Sequence, residues 1–142
     1  MSWLPKDRVV VPVDYSDESL AAVDVARSLV KDDGHLYVIH VLAPVPSNNP
    51  ELFWETETQE DRRVNCESAL RERFAKNGES EVHVRASVGD PGSEIAEYAE
   101  EIRADLIVLP SHGRTGLSRI LIGSVAERVC RLAHCPVLVL RD

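Results

Sequence analysis

The stretch Arg8-Val9-Val10-Val11-Pro12-Val13, followed by Asp14-Tyr15-Ser16-Asp17, decides the fold. Its valines follow one another instead of alternating with polar residues. A strand of this kind must be covered on both faces, which is the pattern of a central strand in a parallel sheet. The covers have to be helices, and the chain supplies one at once. Ser16 or Asp17 is placed to cap a helix whose apolar stripe is Leu20, Val23, Ala26 and Val30, with Gly34 ending the unit.

Outward from this unit the pattern repeats. Residues 35–41 read as a second strand. Residues 42–53 hold Pro44, Pro46, Pro50, Ser47, Asn48 and Asn49 and form a long surface loop, a candidate lid. A charged helix over residues 55–76 carries Cys66, Leu70 and Phe74 on one stripe, and Asn77-Gly78 stops it. Residues 81–88 alternate and suit a strand near a sheet edge. Gly89-Asp90-Pro91-Gly92 turns the chain, and Ser93 is expected to cap a helix containing Ile95, Tyr98, Ala99 and Ile102. Residues 105–109 are a buried strand and residues 110–122 a loop. Residues 124–133 read as a helix with Val125, Val129 and Leu132 inward, and residues 136–140 as the last strand. Strands alternating with helices predict an α/β fold, an open five-stranded, mostly parallel, Rossmann-like sheet with helices on both faces. Residues 1–142 form one domain. Ligands in such sheets bind beyond the carboxyl ends of the strands, so the candidate positions follow Val13, Val41, Val88 and Leu109.

Composition narrows the partners. Of 142 residues, 44% are hydrophobic and 28% charged, and the formal net charge is -8. A chain this acidic is poorly suited to nucleic acid or an anionic membrane, which are held by clusters of Lys and Arg. A phosphate would have to be bound locally, by backbone N–H groups and one or two basic side chains. No apolar run is long enough to span a bilayer, and residues 1–7 lack a secretory h-region. Cys66, Cys130 and Cys135 are odd in number and form no CxxC, as expected of reduced thiols in a cytoplasmic protein.

Two places carry chemistry. Asp14 stands just past the first strand, where a carboxylate can accept from a ligand or simply cap the turn. Residues 110–124 hold more. Gly113 and Gly116 let the backbone approach a ligand, Arg114 and Arg119 are basic, and Gly123-Ser124 lies directly before a helix whose N–H groups suit phosphate. The alternative is that these glycines are loop hinges and Ser124 a helix cap. His112 reads as a loop-ordering or ligand-contact residue, and His40 as a core or wall histidine. His35, His83 and His134 show no metal-ligand spacing.

Val10-Val11-Pro12-Val13-Asp14-Tyr15-Ser16, His40-Val41, Val88-Gly89-Asp90-Pro91, Ser111-His112-Gly113-Arg114-Thr115-Gly116, Gly123-Ser124-Val125-Ala126 and Cys135-Pro136-Val137-Leu138-Val139 occur in the order of the landmarks of the universal stress protein family, which the chain resembles over nearly its whole length. The resemblance implies an adenine nucleotide alpha-hydrolase-like fold and a nucleotide-binding, stress-responsive regulatory module. The ATP-binding branch carries G-x2-G-x9-G-[ST]. Here Gly113 and Gly123-Ser124 match it, and Pro110 stands at the first glycine. Proline has no N–H and a fixed φ, so it cannot reproduce a glycine turn.

By similarity, Pro12, Val13, Asp14 and Val41 would lie against adenine. Pro110, Ser111, His112, Gly113 and Arg114 would line ribose and phosphates, and Gly123, Ser124 and Val125 would hold the phosphate tail. ATP, with or without Mg, is the implied cofactor. The resemblance also implies a homodimer paired through Val137, Leu138, Val139 and Leu140.

No nucleophile–base–orienter set is visible, so the expected protein is not an enzyme, with slow ATP hydrolysis at most. The competing expectation is a dimeric interaction scaffold that has lost nucleotide, which Pro110 favours. A phosphoacceptor receiver would need a lysine after the last strand, and none follows Leu140. A PP-loop adenylating enzyme would need a Gly-Ser loop after strand one, where Asp14-Tyr15-Ser16 stands.

Overall fold

In the computed structural model, which describes residues 3–44, 58–111 and 122–141, five strands alternate with four helices. They are β1 (Val9–Pro12), α1 (Asp17–Arg27), β2 (Leu36–Leu42), α2 (Gln59–Lys76), β3 (His83–Val88), α3 (Pro91–Glu101), β4 (Leu106–Pro110), α4 (Ser124–Leu132) and β5 (Val137–Leu140), with a 3-10 turn at Asp33–His35 before β2. All pairings are parallel, and the strand order is β3-β2-β1-β4-β5. The order reverses beside β1, between β1 and β4. The expected α/β sheet is therefore present, and the valine run that announced it occupies its centre.

Coverage on both faces follows from the side-chain alternation of β1. Val9, Val11 and Val13 pack with Ala22, Val23 and Ala26 of α1 and with Leu70 and Phe74 of α2. Val10 packs on the opposite face with Ile95, Tyr98 and Ala99 of α3 and with Ala126 and Val129 of α4. The two helix pairs thus seal two separate cores against one sheet.

Local chemistry sets the helix starts. Ser16, not Asp17, caps α1, its Oγ accepting from the Ser19 N–H at 3.1 Å. Thr58 and Asp61 form a reciprocal capping box on α2, so that helix starts at Gln59 and not near residue 55. Asp90 caps α3, with Pro91 in its first turn. Ser93, expected as the cap, donates its N–H to Asp90 at 3.0 Å. An Asp directly before a proline places the cap one turn earlier, because proline needs no N–H acceptor at the first helical position.

Two stripes also differ from expectation. In α1 the buried positions are Ser19, Ala22, Val23 and Ala26, while Leu20 is half-buried and Val30 lies beyond the helix, in a bridge to Lys6. In α4, Ala126 and Val129 face the sheet, whereas Val125 and Leu132 are each 38% exposed. Helical spacing admits both 125/129/132 and 126/129/133. The tie between the Gly123 N–H and the Ser111 carbonyl, at 2.7 Å, fixes how α4 enters and selects the second.

The two sheet edges are not alike. On β3, the Ala86 N–H donates to Glu67 Oε1 at 3.1 Å, and the Ala86 carbonyl accepts from Arg63 at 3.4 Å. Side chains of α2 therefore occupy the outward groups at the middle of that edge. On β5, the carbonyls of Pro136 and Leu140 face β4, so alternation turns the N–H and C=O of Val137 and Val139 outward. Among the described residues nothing pairs with them.

Tyr98 shows what the second core does to a polar group. Burial pushes its phenol up to about 12, with Tyr37 adding and the Arg85 guanidinium, 4.6 Å above the ring, opposing. The unfolded chain releases this proton near pH ~10, while the folded chain retains it. Stability contributed by the buried phenol is thus intact below about pH 10 and is lost between about pH 10 and 12. Urea unfolding at about pH 9 and about pH 11 should show a smaller fall for Tyr98→Phe than for the parent chain. Equal falls would remove Tyr98 as the cause.

Candidate functional site

A pocket of about 320 Å³ opens at the carboxyl ends of the central strands, where the strand order reverses. Pro12, Val13 and Asp14 come from the end of β1, and Ile39, His40 and Val41 from β2. Leu109, Pro110 and Ser111 come from β4, Pro91 and Ile95 from the first turns of α3, and Gly123, Ser124, Val125 and Ala126 from the start of α4. Of the four strand ends expected to carry a ligand, those at Val13, Val41 and Leu109 converge here, and Pro91, three residues past Val88, joins them. His112, Gly113 and Arg114 lie outside the described residues, as do the greater part of the candidate lid and residues 115–121.

The register of β1 and β4 explains why the pocket exists. These strands pair only through Val9↔Leu106 and Val10↔Ile107. In a parallel ladder the next two rungs would use the N–H of residue 12 and the N–H of residue 110. Both are prolines, which have no N–H to donate. Neither rung can form, and the strands part at the point of reversal. Pro110 therefore does more than depart from a glycine motif. It ends β4 on the side facing β1, while on the other side it stays in register with Leu140 of β5.

Asp14 is held within its own turn. Its Oδ1 accepts from both the N–H and the Oγ of Ser16, and its N–H donates to Ser19 Oγ at 3.3 Å. Tyr15 follows with φ at 66°, in the left-handed region, which costs about 1 kcal/mol for a bulky residue. Its ring offsets this by packing 5.1 Å from the His40 ring and under Arg73 of α2. Burial pushes the Tyr15 phenol up, Cys66 adds to the shift and Arg73 opposes it. The strained residue lets the chain pass from β1 into α1 within a few residues and leaves Asp14 at the rim.

The opposite rim is the amino end of α4. The capping residue is Gly123, and no side chain caps the helix. Each of the other three helices has a side-chain cap, from Ser16, Thr58 and Asp90. Ser124 is the first helical residue and does not cap. The Gly123 N–H donates to the Ser111 carbonyl, so among the described residues the backbone donors left at this end belong to Ser124, Val125 and Ala126. Gly123 has φ at −63°, which any residue adopts. Its lack of a side chain matters because it leaves the helix end open to the pocket.

Ser19, Ile39, Pro91, Ile95, Leu109 and Ala126 were not anticipated as lining residues. Pro91 and Ile95 had a usable signal: they are one helical turn apart in a helix that starts directly after a sheet strand. The spacing of α3 and α4 is set by Gly92, which is buried. A Cβ there would lie 2.7 Å from Arg128 Cβ. Arg128 in turn reaches Asp90 at 2.9 Å and Ser93 at 3.3 Å, closing the start of α3 against α4. The Ser93 hydrogen bonds, with help from Arg128, hold the Asp90 carboxyl below the usual carboxylate range.

A parallel sheet with an open pocket where its strand order reverses defines a Rossmann-like α/β domain. The model of the Universal stress protein family matches residues 6–141. The chain is 40% identical over 139 residues to a universal stress protein of Methanocaldococcus jannaschii, covering 94% of this chain and 81% of that protein. Among solved structures, universal stress protein UspA from Lactobacillus plantarum is 27% identical with a TM-score of 0.67, covering 94% of this chain and 97% of that one. A universal stress protein in complex with cAMP is 26% identical with a TM-score of 0.62, covering 96% and 98%. The chain belongs to the universal stress protein family.

The close passage of α3 and α4 generates a test. Gly92→Ala forces a methyl group against the root of the Arg128 side chain, which cannot move without moving α4. We expect a loss of about 1–3 kcal/mol in urea unfolding. A change below about 0.5 kcal/mol, the range of ordinary surface substitutions, would show that the helices are not in this contact.

Proposed function

We propose that this universal stress protein binds an adenine nucleotide in the pocket between β1 and β4 and acts as a dimeric regulatory module in the cytoplasm, not as an efficient enzyme. The observation that carries the reading is the uncapped amino end of α4 opening onto a pocket otherwise walled by Pro12, Val13, Ile39, Val41, Ile95 and Leu109. An apolar cleft suits a flat heterocycle, and a helix amino end suits an anion. A ligand with both parts, such as ATP, matches the two ends at once. The cAMP-bound relative supports the choice of adenine. The Ser124, Val125 and Ala126 N–H groups would receive phosphate. Asp14, with Oδ1 committed to Ser16, suits a rim contact better than general-base chemistry.

Dimerisation is read from the edges. The β3 edge is occupied at Ala86 by side chains of α2, whereas β5 turns Val137 and Val139 outward and leaves Leu138 36% exposed. Open backbone groups on an apolar edge invite a second copy.

The second reading is a dimeric scaffold without nucleotide. Pro110 favours it, because its ring stands in the pocket where the family motif has a glycine.

Titration of the purified protein with Mg-ATP should give saturable binding, and nucleotide extracted from the preparation should be adenine-based. No binding at millimolar ATP in the parent chain, with binding restored in Pro110→Gly, would select the scaffold reading and name the proline as its cause. Separately, Leu138→Glu should convert a sedimenting dimer to a monomer. A mass that stays at two copies would count against pairing through β5.

A further inference from the structure

The boundary between β1 and β2 is broken by different means from the boundary between β1 and β4. The β1–β2 ladder runs through Pro12↔Ile39, and its last rung is the Val13 N–H to the Ile39 carbonyl at 2.8 Å. In a continuing parallel ladder the Val13 carbonyl would next accept from the Val41 N–H. That rung is absent. The Val13 carbonyl instead faces His40 Nδ1 at 2.6 Å. A carbonyl can only accept, so Nδ1 carries the proton and donates. The imidazole has taken the place of a backbone donor. Among the described residues, no group accepts from the Val41 N–H, although Val41 is half-buried and lines the pocket.

We propose that His40 is a positioning residue, whose ring captures the Val13 carbonyl and thereby leaves the Val41 peptide edge open in the pocket wall for the ligand. Three observations converge on it. The hydrogen bond replaces the rung that would have closed the site. The ring packs against that of Tyr15, whose left-handed backbone follows directly after Asp14, just past the end of β1. Val41 stands between Ile39 and the rim, so its N–H is presented at the strand ends. The Val41 N–H of this half-buried residue has no acceptor among the described residues, and a planar heterocycle with an in-plane acceptor would satisfy it. The identity of that ligand rests on the nucleotide reading above, whereas the diversion of the Val13 carbonyl does not.

Amide hydrogen exchange followed by NMR tests the diversion directly. In the ligand-free parent protein the Val41 amide should exchange at least about a hundredfold faster than that of Ile39, which lies within the ladder. His40→Phe keeps a ring against Tyr15 but has no donor. It should let the missing rung form, slow Val41 exchange by about tenfold or more, and weaken nucleotide binding by about tenfold. His40→Asn places an amide N–H near the position of Nδ1 and should preserve both fast exchange and binding. A Val41 amide as protected as Ile39 in the parent protein would overturn the proposal even if no variant folded. Loss of binding in His40→Phe with Val41 exchange unchanged would also overturn it. Failure of the parent protein to bind nucleotide, with Val41 still exchanging fast, would leave the diversion standing and remove only the nucleotide reading.

Discussion

Parallel strands stay together only while each can offer a donor to the next rung. In this protein β1 is the strand on which both cores close, and it loses both neighbours at its carboxyl end. On the β4 side the missing donors belong to Pro12 and Pro110. On the β2 side the acceptor, the Val13 carbonyl, is diverted to His40. The sheet therefore opens on both sides of one strand tip, and the pocket is the space that results. Asp14, the turn at Tyr15 and the start of α1 all depend on where that tip is released.

The helices convert this opening into an asymmetric site. α1 starts behind Ser16, whose Oγ serves the helix while Asp14 holds the same residue from the other side. α3 starts behind Asp90 and is drawn close to α4 by Gly92 and Arg128. Among the described residues, α4 alone of the four helices starts without a side-chain cap, and it starts at the pocket. Because Gly123 is tied to Ser111, which is in turn tied to Leu140, the uncapped helix end is anchored to the last strand by two backbone hydrogen bonds of 2.7 and 2.8 Å. Among the described residues the site thus has an apolar wall on the sheet side and backbone N–H groups at the start of α4.

Much of the fold was legible because it depends on local pattern. The uninterrupted valines at 9–11 required a doubly covered strand, and the alternation at 81–88 suited a strand near an edge. Capping was half legible: Ser16 was one of two candidates, while Asp90 was passed over for Ser93 because the proline between them was read as a turn and not as the first helical residue. The stripe of α4 was ambiguous in principle, since 3.6-residue periodicity cannot choose between adjacent faces without knowing how the helix enters. In the site, Pro12, Val13, Asp14, Val41, Pro110, Ser111, Gly123, Ser124 and Val125 were anticipated and do line one pocket. The roles of Pro110 and His40 were not legible. Both depend on strand register, a relation between residues about 100 and 27 positions apart, and no local pattern encodes it.

The covered edge at Ala86 has a consequence for size. An open sheet with two available edges can add a copy to each and grow without end. With Arg63 and Glu67 occupying the β3 edge at Ala86, the β5 side is the one whose backbone groups would remain for a second copy under the proposed dimer. Two such sides meeting about a two-fold axis consume each other and leave nothing to extend. The side chains that satisfy the outward groups of Ala86 would, under the proposed pairing, make edge-to-edge association self-terminating.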